Sequence, residues 1–159
     1  MKELNIIIER KFYTSDISTN IVSRFFIEYQ GKCFPNNEWT DFAEPVLGMW
    51  THKLLQNRYS SKNKFKLYFM DGPFWMDVYK DDNMQLSIDC INDRGINKVI
   101  EHTMVCSYYD FLRALYNALK KFNYILYSDA MHKGQYESVY RQNLINIKEI
   151  KDVLNSAKL

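Results

Sequence analysis

Apolar and polar residues alternate with a period of two along much of this chain, and that alternation predicts strands. Residues 4–10, rich in Ile, read as a first strand, and residues 12–20 as a polar connection. Residues 21–30 read as a second strand, with Phe25, Ile27 and Tyr29 on one face and Arg24, Phe26 and Glu28 on the other. Gly31 marks a turn, and the run Cys33-Phe34-Pro35-Asn36-Asn37 is expected to lead away from the sheet. The period then lengthens. Phe42, Val46, Met49, Trp50 and Leu54 recur at three and four residues, which makes one apolar stripe on a helix. Asp41 and Glu44 have capping-box spacing at its start, with Thr40 as an alternative. Pro45 is tolerated near a first turn, where its missing N–H costs little. Asn57 and Ser60-Ser61 end the helix.

Period two returns as a four-strand meander at 64–106. Its strands are 65–70, 74–80, 84–91 and 96–106, joined at Asp71-Gly72, Asp81-Asp82-Asn83 and Asn92-Asp93-Arg94-Gly95. Connections this short make neighbouring strands antiparallel. Ser107 and Asp110 have capping-box spacing again. Behind them Tyr108, Phe111, Leu112, Leu115, Leu119, Phe122 and Leu126 repeat at helical spacing. Residues 128–134 read as a loop, and Tyr136, Tyr140, Leu144, Ile147, Ile150 and Leu154 mark a last amphipathic helix. The helices stand outside the strand run, so they form no crossovers within it. The expected class is therefore α+β: an antiparallel sheet of about six strands with helices packed on one face, in a single domain over 1–159.

Composition narrows the functional classes. Twenty-one basic against 19 acidic residues leave a net charge of +2, too even for a broad nucleic-acid footprint. Lys62, Lys64 and Lys66 are a local basic run, which their alternation assigns to a solvated strand face. Twelve Tyr and ten Phe supply an aromatic core, and some Tyr and Trp are expected as interface anchors. No stretch approaches the roughly 18 apolar residues that span a membrane. Ile6-Ile7-Ile8 is shorter than the apolar run of about 7–15 residues that a secretion signal needs. The expected location is cytoplasmic. Cys33, Cys90 and Cys106 lack close pairing, which favours free thiols over a disulfide framework or a zinc site.

Catalytic chemistry is not expected, nor a cofactor or bound metal. His52, His102 and His132 have no partner at metal-ligand spacing, and neighbours Glu101 and His102 point to opposite strand faces. Gly31, Gly48, Gly72, Gly95 and Gly134 never cluster as a phosphate loop requires. Asp71, Asp81, Asp82 and Asp93 sit where turns ordinarily use Asp. Asp77 and Asp89 are different, because Asp is disfavoured within strands. Trp75, Asp77 and Tyr79 share one face, with Asp81 and Asp82 at its rim. These five are the candidate partner-binding residues, provided that the helices cover the face of Phe74, Met76 and Val78.

Certain segments stand out together: Pro35-Asn36-Asn37-Glu38-Trp39-Thr40-Asp41-Phe42, Phe69-Met70-Asp71-Gly72-Pro73-Phe74, Trp50, and Ser87-Ile88-Asp89-Cys90-Ile91. A helix beginning Ser107-Tyr108-Tyr109-Asp110-Phe111 follows. This order, over residues 20–127, resembles bacterial immunity proteins of polymorphic-toxin and contact-dependent inhibition systems. The resemblance implies a non-enzymatic cytoplasmic protein that binds and neutralises a cognate toxin domain. It carries over no contact residues, since the shared motifs read as turn and core. An alternative is another protein-binding or homo-oligomeric adaptor module of phage or mobile-element origin. An exposed edge at residues 4–10 would support pairing into a homodimer. An enzyme would show itself by a deep pocket holding His102 with an acidic partner.

Overall fold

The computed structural model describes residues 3–9, 21–128 and 136–157, so the predicted connection at 12–20, most of the predicted loop at 128–134, and His132 lie outside the described residues. The class is α+β as expected, with three helices and two antiparallel sheets of four strands each among the described residues. This corrects the single sheet of about six strands.

The first sheet is built on β2 (Val22–Tyr29), with β1 (Leu4–Glu9) along one edge. Two short strands, β3 (Lys32–Phe34) and β4 (Thr40–Phe42), share its other edge. Three residues are too few to display a period, and for that reason both strands escape a reading of the pattern. The run from Cys33 does not leave the sheet at once. Gln30 and Gly31 take φ of 53° and 77°, the left-handed pair of a tight hairpin, and fold β3 back along β2. Phe34 thereby lands opposite Ile27 and is fully buried.

Helix α1 (Ala43–Gln56) starts without a side-chain cap. The expected capping box does not form, because Asp41 belongs to β4 and its carboxylate is turned to other donors. Pro45 falls in the first turn, as expected, and Val46, Trp50 and Leu54 are buried. Met49, placed in the apolar stripe by spacing, is instead 40% exposed.

The four meander strands form in the order read, β5 (Lys64–Tyr68), β6 (Phe74–Lys80), β7 (Gln85–Asn92) and β8 (Val99–Ser107), each antiparallel to the next, though β5 ends two residues early and β8 begins three residues later than the pattern placed them. One face supplies core: Phe65 and Leu67, Phe74, Met76 and Val78, Leu86, Ile88 and Cys90, Met104 and Cys106. Helix α2 (Tyr108–Ser128) buries all seven residues of its predicted stripe. The Ser107 hydroxyl caps it, accepting from the Asp110 N–H at 3.0 Å. In α3 (Glu137–Ser156) the predicted face packs inward except at Leu144: Ile150 is buried, and Tyr140, Ile147 and Leu154 lie against the core, where two asparagines join them. Asn143, Asn146 and Ile150 point inward, while Leu144 is 46% exposed. The Asn143 amide donates to Asn123 Oδ1 of α2 at 2.9 Å, and Asn123 donates to the Tyr140 carbonyl at 3.1 Å. A buried amide pair that is mutually hydrogen-bonded can occupy a position that hydropathy reserves for Leu.

Candidate functional site

The condition on the candidate residues is met. Phe74, Met76 and Val78 are buried in the core, so Trp75, Asp77 and Tyr79 lie on the outer face of the meander. Sheet register explains what gathers there. Across β5, Lys64, Lys66 and Tyr68 stand opposite Tyr79, Asp77 and Trp75. Across β7, Asp77 stands directly opposite Asp89. Two like charges in that relation repel, and each is answered separately. Asp77 lies 3.5 Å from Lys66 Nζ and 3.4 Å from Lys98 Nζ, and the Trp75 indole N–H donates to it at 3.2 Å. Asp89 accepts from the Thr103 hydroxyl at 2.6 Å.

Asp77 is therefore no solvated surface acid, for only 6% of it remains exposed. Both lysines that hold it also lie over the Trp75 ring, with Nζ 5.0 and 5.2 Å from the centroid. Cation–π attraction and the shared carboxylate thus hold Trp75 against two ammonium groups. Tyr79 is 37% exposed, with Lys64 Nζ 4.8 Å from its ring, and Tyr68 is 49% exposed beside Trp75. Ile91 stands opposite Trp75 and Ile100 and is buried outside the main core. The rim acids differ in their engagement. Asp81 accepts from the backbone N–H groups of Asn83 and Gln85 at 2.9 and 2.8 Å, shaping the β6–β7 turn. Asp82 is exposed at that turn.

Sequence reading missed Lys66 and Lys98. Alternation does place Lys66 on the outer face, but its pairing with Asp77 depends on strand register. Lys98 lies just ahead of β8, and nothing local aims it across two strands at Asp77.

Two of the segments behind the resemblance, residues 35–42 and 69–74, meet at a different point. Asp41 is 1% exposed, and its carboxylate accepts from the backbone N–H groups of Phe42, Met70 and Asp71 at 2.7, 3.0 and 3.3 Å and from the Trp39 indole at 3.3 Å. Burial pushes its pKa above the ordinary aspartate value, against the pull of those four donors. One carboxylate thus ties β4 of the first sheet to the β5–β6 turn of the second. Trp50 adds a parallel link, donating to the Tyr68 carbonyl at 2.8 Å. These motifs join the two sheets.

Among the described residues, His52 and His102 lie apart in ordinary structural settings. His52 is exposed on α1. His102 packs its ring edge against Phe34 at 5.9 Å, and its Nε2 has no hydrogen-bond partner. Burial lowers its pKa, nearby Lys32 lowers it further, and Glu101 opposes them. Among the described residues, no three His, Cys, Asp or Glu side chains converge as a metal site. Cys90 and Cys106 are buried free thiols; burial pushes Cys106 up to about 12 and Cys90 higher still. No helix among the described residues is long and apolar enough to cross a membrane.

The chain matches no protein-family model, no curated protein and no solved structure.

Proposed function

We propose that this chain is an immunity protein that binds a cognate bacterial toxin domain in the cytoplasm and neutralises it without catalysis, through the outer face of the meander. The observation that carries the reading is the cluster of Trp75 and Asp77 held by Lys66 and Lys98. Neutralising a toxin requires no nucleophile. It requires an ordered surface, typically burying about 1,600 Å² in total, with a few aromatic or charged anchors. Side chains already held in place lose less entropy on binding. Trp75, Tyr79 and Tyr68 supply aromatic area on this face, and Asp82 supplies a free charge at its rim. The resemblance of residues 20–127 to immunity proteins selects a toxin domain as the partner.

Co-expression with the toxin domain encoded beside this chain tests the pairing, and the wild-type chain should restore growth. Trp75→Ala should weaken toxin binding by about 2 kcal/mol, roughly thirtyfold in Kd, read by calorimetry, with the circular-dichroism spectrum unchanged. Unaltered affinity in the folded variant removes this face from the interface. Failure of the wild-type chain to protect rejects the pairing itself.

A further inference from the structure

Five lysines gather at one end of the outer face. Lys53 projects from the last turn of α1, Lys62 from the connection after it, and Lys64 and Lys66 from β5; with Gln56 and Tyr68 these line a cleft of about 490 Å³. Lys98 also reaches Trp75, with Nζ 5.2 Å from the ring centroid. Among the described residues the only carboxylate paired with any of the five is Asp77. Four of the five line the cleft, and no Asp or Glu is among its lining residues. The cleft is also held in shape. Lys80 Nζ donates to the carbonyls of Arg58 and Ser60 at 3.1 and 3.5 Å, and its backbone N–H to Asn63 at 2.7 Å. Asn57 donates twice to the Lys53 carbonyl, at 2.8 and 3.1 Å, which quenches part of the negative end of α1 that faces the cleft.

We infer that this cleft receives an acidic segment of the protein partner, a stretch of Asp and Glu side chains laid across Lys53, Lys62 and Lys64 beside the aromatic face. The inference rests on the binding reading above and names the chemistry of the partner. Charge complementarity selects the occupant, because a fixed group of unpaired ammonium ions steers and registers a carboxylate-bearing surface. Single-stranded nucleic acid fits less well. It binds by stacking bases on free aromatic faces, whereas Trp75 already carries two lysine ammonium groups and Tyr79 one within 5.2 Å of their ring centroids.

The test uses the full chain, a fluorescent twelve-residue oligoglutamate peptide, and a thymidine oligonucleotide of equal length, read by anisotropy at low salt. The peptide should bind, its affinity should fall as salt rises, and the double variant K62E/K64E should bind about tenfold more weakly or worse. A control of equal charge change on α2, K120E/K121E, should stay within about twofold of wild type. Absence of peptide binding, equal loss in both variants, or tighter binding of the oligonucleotide would each overturn the inference. The toxin domain separates this inference from the reading beneath it. Binding that survives K62E/K64E but is lost in Trp75→Ala keeps the face and discards the acidic partner.

Discussion

Asp41 and Asp77 show how differently one side chain serves in two settings. Both are nearly buried, Asp41 at 1% and Asp77 at 6% exposure. Asp77 meets two ammonium groups, whereas Asp41 meets only N–H dipoles. Burial outweighs those dipoles, and the Asp41 pKa stays raised. Native Asp41 then holds its proton to a higher pH than the unfolded chain does. The native state binds more protons in the window from 3.8 up to that raised value, so this group's contribution to stability falls as pH rises through it. Asp41→Asn keeps one acceptor oxygen and brings an amide toward N–H donors, which should cost about 1–3 kcal/mol. The variant lacks the titration, so the stability gap between it and wild type should narrow as pH rises through the window. Urea denaturation on either side of the carboxylate range measures that gap. A gap that widens would mean that the donors outweigh burial.

At the scale of elements, the β5–β6 turn shows what a short motif can specify. Asp71-Gly72 was legible as a hairpin, because Gly accepts the positive φ, here 68°. Its tertiary role was not legible. A Cβ on Gly72 would lie 2.7 Å from Trp39 Cη2 and 3.1 Å from Phe74 Cδ2, so the turn is pressed against the entry to α1. Gly72→Ala should therefore destabilise by about 2–4 kcal/mol, from backbone strain and collision together. Gly31 provides the comparison, with φ of 77° and open space around its Cβ. Gly31→Ala carries the strain alone, so its thermal midpoint should drop distinctly less. Equal drops would show that Trp39 yields freely. Strands β3 and β4 belong to the same lesson. Each is too short to announce itself, and each forms because β2 already presents an edge to pair with.

Across the whole molecule the layers are unevenly anchored. Helix α2 buries eleven residues against both sheets' surroundings and α3, whereas α3 buries three, two of them asparagines. Apolar burial sets most of the cost of local opening. Amide hydrogens of α3 should therefore exchange well before those of α2, by mass-spectrometric or NMR exchange under native conditions. Equal protection would make the Asn123–Asn143 pair as strong an anchor as a leucine stripe.

The sequence by itself determined the α+β class, the three helices, the four meander strands, and that Trp75, Asp77 and Tyr79 share one side of β6; which side faces outward was decided by the packing. The features legible in the sequence follow from periodicity and turn chemistry within a few residues. Only the tertiary structure decided that there are two sheets, that Asp41 joins them, and that Lys66 and Lys98 hold Asp77 and Trp75. Each of these depends on register between distant segments, and the resulting contacts leave no signal in the spacing of neighbouring residues.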